Sequence, residues 1–408
     1  MPHGHPSPIT TGSSHAAGRR ELLAMAVFAL SLRIALFALA TGLTHTTFAA
    51  YAGAADGYQY LSYAHAWRGD AADFVAHPYY RRLFPGYPAL IAALSVIGVP
   101  EAAAALLPSW LAAPFVAVLA ALYFGDRRVG WAMAALTPAY VFSGSLISTE
   151  ALCLLFSLAG LWLAGRDRAS ATSATSVASA AWGAGVAFGL GGLFRPVAVF
   201  AMLGAVAREV IGRRFAAAVA LTATAGLTVA SGLALVHWRF GDALMSLNQY
   251  KKDPQAYAGE LFTWPFKSLL TVPLTTPVPA WKLAYVGVHA LAVLLACALA
   301  VRQGLQREGE ESRGLSAVAA VWLLGNTLYV LSIGNIWGFH DFPRFIVPAL
   351  PPLFWVLRRF LPRRPIVWLA LGLLCVVLSL PPAKRRLESP PAPPVSAAAV
   401  STAGQSGP

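Results

Sequence analysis

The chain has 408 residues, of which 57% are hydrophobic and 12% charged, with a formal net charge of +13 and a mean hydropathy of +0.61. That composition excludes an ordinary soluble domain and predicts a polytopic membrane protein. The positive charge does not point to nucleic acid, because the arginines stand in pairs at the ends of apolar runs. Each run needs about 20 residues to cross a bilayer, and backbone groups in lipid must be satisfied internally, so the spans are helices. No strand-like alternation suggests a barrel. Cys153, Cys297 and Cys375 all fall inside apolar runs without metal-ligand spacing and read as small core residues.

Residues 1–18 are polar and expected to be disordered. Arg19-Arg20 precede a first apolar run, 21–44, that is too long for a cleaved signal peptide, so it reads as an anchor with a cytoplasmic N-terminus. A long external loop, about 45–103, follows. Within it 86–99 is apolar but short, which predicts a re-entrant or interface-lying helix. Spans are expected at about 104–124, 129–147 and 150–165, with Arg127-Arg128 and Arg166/Arg168 inside.

The run 177–207 is too long for one span and is interrupted at Phe194-Arg195-Pro196, where proline removes a donor and disfavours a helical predecessor. It splits into two shorter helices. Ala169 to Ala181 reads as an Ala/Ser/Thr linker before it. A span at 215–237 leads to a second external loop, 238–281, which carries Lys251-Lys252, Asp253 and Glu260. Spans at about 282–302, 314–333, 344–361 and 365–380 complete an all-α bundle of about eleven transmembrane helices. Residues 19–381 form one transmembrane domain, and 382–408 a disordered Pro/Ala-rich tail. Lys384-Arg385-Arg386 would favour the cytoplasm, which leaves the side of the C-terminus open.

Polar residues gather on the external side of this arrangement. Asp56 opens a polar loop after the first span, and Arg81, Arg82, Glu150, Arg195, His340, Asp341 and Arg344 flank helix ends. Acids and cations at the edge of hydrocarbon mark substrate paths. Carboxylates beside a cluster of cations suit a reaction in which a hydroxyl attacks and an anionic phosphate leaves. Each residue also has a structural reading. Asp56 and Glu150 suit helix N-termini, Arg195 can snorkel to headgroups, and Arg81-Arg82 and Lys251-Lys252 can bind anionic lipid. Arg33, in mid-span, pairs internally or faces a cavity. The tyrosines, Tyr60 and Tyr87 among them, divide between an aromatic interface belt and sugar stacking.

Asp56-Gly57-Tyr58-Gln59-Tyr60, followed by His77-Pro78-Tyr79-Tyr80-Arg81-Arg82-Leu83-Phe84-Pro85-Gly86-Tyr87-Pro88, resembles the first external loop of the GT-C superfamily of integral-membrane glycosyltransferases. Ser148-Thr149-Glu150-Ala151-Leu152, Gly192-Leu193-Phe194-Arg195-Pro196 and Pro343-Arg344-Phe345-Ile346-Val347-Pro348 agree in order with elements of the branch containing the second mannosyltransferase of GPI-anchor synthesis and its bacterial relatives. Gly86 replaces a bulkier family residue, Thr149 separates Ser148 from Glu150, and Ala55 stands where the branch often has Trp.

The resemblance implies a polyprenyl-phosphate-sugar donor and a lipid, glycan or protein acceptor. It further implies an active site on the non-cytoplasmic face of a multi-pass protein, which we expect in a bacterial inner membrane. Asp56 would be the general base, and Glu150 would act on the acceptor or a metal. Arg195, His340 and Arg344, with Arg81 and Arg82 nearby, would meet the lipid phosphate, and Tyr60 and Tyr87 the substrate. Neither a cofactor nor a metal cluster is expected, since no ligand set has recognisable spacing. A transporter or flippase for a lipid-linked or anionic solute is the alternative, because it would also combine a broken helix with arginine at membrane depth.

Overall fold

The computed structural model describes residues 11–170, 174–252, 262–305, 310–334 and 336–388. Among these residues the chain is helical throughout, apart from turns and one isolated bridge between Phe262 and Ile333. The first helix, α1 (Thr11–Thr44), is followed by α2 (Phe48–Ala52), α3 (Gly57–Arg68), α4 (Ala72–Ala76) and α5 (Gly86–Val96). Then come α6 (Glu101–Phe124), α7 (Arg127–Ala135), α8 (Pro138–Ser145), α9 (Thr149–Ser170), α10 (Ala174–Phe194), α11 (Ala198–Ile211) and α12 (Phe215–Phe240). The C-terminal part consists of α13 (Met245–Lys252), α14 (Lys267–Thr275), α15 (Ala280–Leu305), α16 (Glu310–Leu331), α17 (Ile336–His340), α18 (Phe342–Phe345), α19 (Leu350–Val356) and α20 (Pro365–Glu388).

Among the described residues six helices (α1, α6, α12, α15, α16 and α20) are long and apolar enough to cross a membrane, and the protein is an all-α, multi-pass membrane protein. A bent pair, α8 and α9 at 104°, makes a seventh crossing if counted as one span. Two of the expected continuous spans are therefore broken. Residues 129–147 divide into α7 and α8 at Thr137, which has φ 70 and whose hydroxyl caps α8 by accepting from the Tyr140 amide. Pro138 follows as the first residue of α8, where a missing amide hydrogen costs no helical bond. Residues 344–361 divide into α18, two 3-10 turns and α19, because Pro343, Pro348, Pro351 and Pro352 remove successive donors.

The expected break at Phe194-Arg195-Pro196 is present between α10 and α11. The 86–99 segment is the short helix α5. At the ends, α1 begins at Thr11 and α20 continues to Glu388. The linker at 169–181 is mostly the end of α9 and the start of α10, with 171–173 outside the described residues. Residues 1–10, 389–408 and the Asp253 and Glu260 of the second loop also lie outside them.

Packing relies on small residues, as expected where lipid is as apolar as the side chains. A Cβ added at Gly185 would meet the Leu221 carbonyl oxygen at 2.6 Å, and one at Gly189 would meet Thr228 Cβ at 2.5 Å, so α10 and α12 touch nearly backbone to backbone. Gly86 does the same for the site. Its missing side chain lets α5 lie against the Leu193 carbonyl oxygen, which a Cβ at Gly86 would approach to 2.8 Å, just before the Arg195 break. A bulkier residue there would push the two apart.

Arg33 is fully buried in α1. Its Nη1 donates to the carbonyl oxygens of Ala29 (2.9 Å) and Ala134 (3.1 Å), and its guanidinium lies 4.7 Å from the Tyr140 ring centroid. It pairs internally and does not line the cavity described below. The three cysteines are free and buried.

Candidate functional site

The N-terminal turns of α3, α9 and α15, the α10–α11 break, α17–α18 and the end of α20 enclose a cavity of about 1140 Å³. Asp56 sits on its wall. The chain reaches this residue through Ala55 at φ 56, an unusual conformation for a side-chain-bearing residue, and leaves it through Gly57, where a Cβ would lie 2.0 Å from the Ala52 carbonyl oxygen. This tight turn presents the carboxylate. Asp56 occupies the N-cap position of α3 but makes no capping hydrogen bond. Its oxygens instead face two guanidiniums: Arg82 Nη2 at 3.3 Å and Arg344 Nη1 at 3.7 Å.

Arg344 links Asp56 to a second acid. Its Nε donates to Glu150 Oε1 at 2.6 Å, and Arg195 Nη1 donates to the same oxygen at 2.8 Å. The other oxygen, Oε2, accepts from the hydroxyls of Ser148 (3.1 Å) and Thr149 (3.4 Å). Glu150 is fully buried and does not line the cavity. Both of its carboxylate oxygens are engaged by protein donors, Oε1 by Arg195 and Arg344 and Oε2 by Ser148 and Thr149, so Glu150 stands behind the two arginines and not on the cavity wall.

Neighbouring residues support this arrangement. Arg82 Nη2 also donates to Gln59 Oε1 (3.0 Å), and the guanidinium lies 4.2 Å from the Tyr79 ring centroid. Tyr60 lines the cavity. Burial first, then the charges of Asp56 and Glu150, push its hydroxyl up to about 12, so it stays a neutral donor. His340 lines the cavity too. Burial and then Lys282 hold its imidazole below the usual range, against an opposing pull from Asp341, so at neutral pH it offers hydrogen bonds without a full charge. Its Nδ1 has no partner.

Two expected site residues lie elsewhere. Arg81 is not on the cavity wall, and its guanidinium is 5.9 Å from the Phe74 ring centroid. Adjacent residues of a 3-10 turn point in different directions, and only Arg82 turns toward Asp56. Tyr87 is fully buried. Its hydroxyl donates to the Ala105 carbonyl (2.8 Å) and contacts Ser109 Oγ (2.6 Å), which accepts from the Ser148 amide (2.9 Å). Tyr87 thus braces the turn that carries Glu150 and is not placed to touch a ligand.

Sequence reasoning missed Lys282, Arg385 and Arg386, which line the same cavity. Asp341 lines it as well. Burial is the largest influence on Asp341 and holds its carboxyl above the usual range; Arg344 acts against this and Asp56 reinforces it. For Asp56 burial is again the largest single influence and acts upward. Arg82 and then Arg344 overcome it, leaving the carboxyl below the usual range and ionised at neutral pH. The reciprocal effect raises Arg344, where Glu150 and Asp56 outweigh burial. Among the described residues no group of three or more His, Cys, Asp or Glu is placed to hold a metal ion.

No protein-family model and no curated protein sequence matches the chain. Among solved structures it is similar to the oligosaccharyltransferase of Archaeoglobus fulgidus. The form tethered to an acceptor peptide gives a TM-score of 0.48 at 12% identity over 90% of this chain and 54% of that one. AglB from the same organism, in complex with an inhibitory peptide and a dolichol-phosphate, gives 0.47 at 13% identity over 90% and 55%. The apo form gives 0.47 at 12% over the same shares. The chain spans about half the length of these proteins, and likeness at this level fixes neither the activity nor the substrate.

Proposed function

We propose that the protein is a GT-C-type glycosyltransferase that moves a sugar from a polyprenyl-phosphate donor to a hydroxyl acceptor, with Asp56 as general base. The observation that carries this reading is that Arg344, on the wall of a large cavity, bridges the wall residue Asp56 to the buried Glu150 behind it. An ionised carboxylate and fixed guanidiniums then face the same space, which is what attack by a hydroxyl and departure of a phosphate require.

In the proposed step the acceptor oxygen attacks the anomeric carbon while the bond from that carbon to the phosphate oxygen breaks, inverting the centre. The acceptor proton passes to Asp56, and the departing phosphate keeps the electron pair. Arg344 and Arg195, held by Glu150, stabilise the charge that develops on it. A low-lying Asp56 is a weak base toward a resting alcohol. It becomes an adequate one as the attacking hydroxyl acidifies in the transition state.

Within this reading the sugar is mannose or a related hexose or pentose, as in the GPI mannosyltransferase II-like branch. The acceptor is a lipid, glycan or protein, the domain is 19–381, and the site faces the periplasm or exterior of a bacterial inner membrane. The test offers membranes containing the purified chain a panel of radiolabelled polyprenyl-phosphate sugars and measures release of bare polyprenyl phosphate. Release that depends on an added acceptor supports the reading. Movement of intact donor between leaflets with no cleavage would favour a carrier instead.

A further inference from the structure

The cations of the cavity fall into two groups with different commitments. Arg82, Arg195 and Arg344 are each ion-paired to Asp56 or Glu150. Lys282, in the first turn of α15, and Arg386, in the last turn of α20, line the same cavity and enter no ion pair among the described residues. Arg385 lines it beside them. Asp341 is close enough to Lys282 and Arg386 to interact with both, and Asp56 is close enough to interact with Arg386. The charges of Lys282 and Arg386 therefore lie at the α15–α20 edge, apart from the arginines that pair with Glu150.

Below these cations the wall becomes apolar. Tyr285 and Val288 of α15 and Leu378 of α20 line the cavity one to two turns further into their spans. Val288 and Leu378 are both exposed, so the cavity presents accessible apolar side chains on α15 and α20 below its cations. A cationic rim above exposed apolar side chains on two membrane-spanning helices fits an amphiphile with a phosphate head and a hydrocarbon tail. It does not fit a free sugar phosphate, which has nothing to place on those side chains.

We propose that Lys282 and Arg386, with Arg385 beside them, form a docking subsite for the phosphate of a membrane-borne polyprenyl phosphate, whose tail leaves the cavity between α15 and α20. The identity of the lipid rests on the proposed glycosyl transfer. The subsite itself rests on the charge distribution and the apolar side chains below it. It places initial capture of the lipid phosphate at one edge of the cavity, and Arg195 and Arg344 then act on it at the reacting centre.

The experiment uses the full chain in phosphatidylcholine nanodiscs and measures binding of polyprenyl phosphate, neutral polyprenol, phosphatidylglycerol and inorganic phosphate by native mass spectrometry and competition. The double variant Lys282→Ala/Arg386→Ala is expected to bind polyprenyl phosphate about tenfold or more weakly, with polyprenol binding unchanged. The charge-preserving Lys282→Arg/Arg386→Lys is expected to restore it. In the sugar-transfer assay the double variant should raise KM for the donor with little change in kcat, the mark of lost uniform binding.

Wild-type affinity in the double variant would overturn the subsite. So would an equal loss for phosphatidylglycerol, which would mark the cations as general headgroup ligands, or displacement of the lipid by inorganic phosphate alone, which would mark a free-anion site. If the wild-type chain cleaves no donor, the functional reading fails while the binding measurements still decide the subsite. If it cleaves donor and the double variant keeps the same KM and affinity, the subsite alone fails.

Discussion

Arg33 and Arg344 are both arginines drawn away from bulk water, and they are handled in opposite ways. Arg33 donates from Nη1 to two backbone carbonyls and lies over the face of Tyr140, while its Nε and Nη2 have no hydrogen-bond partner, it has no carboxylate partner among the described residues, and it does not line the site cavity. Arg344 bridges two carboxylates and faces a cavity of about 1140 Å³. The first arrangement closes a hole in the packing. The second holds a charge in readiness beside space that a ligand can fill. Burial alone does not separate a structural arginine from a functional one; the partners and the adjacent volume do.

The largest expected effect comes from removing the anchor on the functional side. Glu150→Ala leaves Arg195 and Arg344 without their shared acceptor, and should lower stability by about 3–5 kcal/mol, the cost of breaking a buried pair from one side. Sugar transfer should fall by about a hundredfold or more. Thermal unfolding in detergent and the donor-cleavage assay check the two halves, and an unchanged unfolding temperature would show that the bridge carries no weight.

Neighbouring arginines sharpen the same contrast. Arg82→Ala should reduce transfer by about tenfold to a hundredfold, since it removes a charged partner of Asp56. Arg81→Ala, directed at Phe74, should stay within about threefold of wild type. Equal losses in the two would mean that orientation in the 3-10 turn does not decide function.

The pH profile gives a further comparison. The folded-state pKa of Asp56 lies below its ordinary value, so the carboxylate and its contribution to stability are present above the unfolded-state pKa and are lost as pH falls through the lower folded one. Transfer should therefore be flat between about pH 5 and pH 8 on account of this group. An acidic limb centred near neutrality that disappears in an Asp56 variant would contradict the assigned ionisation. The smallest effect is expected at Arg33. Arg33→Met should leave transfer within about twofold and either preserve stability or raise it by about 1–4 kcal/mol, since a packed thioether replaces a buried charge.

Local chemistry made part of this legible in the sequence. The Phe194-Arg195-Pro196 break follows from proline geometry, and Asp56 stood out because an acid directly after a long apolar run is unusual. The long helices follow from run length. What escaped was either non-local or obscured by a competing rule. The basic cluster at Arg385 and Arg386 reads by charge as a topological signal, yet α20 continues past Leu380 and carries both residues to the cavity edge. Arg81 and Arg82 are indistinguishable in sequence, because side-chain direction in a single 3-10 turn is set by Phe74 on one side and Asp56 on the other. Glu150 was placed at the correct helix end, but its burial depends on Ser148, Thr149 and arginines 45 and 194 residues away along the chain. The breaks within 129–147 and 344–361 were signalled by Pro138 and by the prolines from Pro343 to Pro352, and apolar continuity masked them.

The most direct test of the account is the rate of sugar transfer and the donor affinity of Asp56→Asn, measured side by side in the same nanodiscs. The substitution keeps the side chain's size and removes the proton acceptor. Transfer should fall by about a thousandfold while polyprenyl-phosphate binding stays within a few-fold of wild type. A near-normal transfer rate in that variant would contradict the assignment of Asp56 as the base.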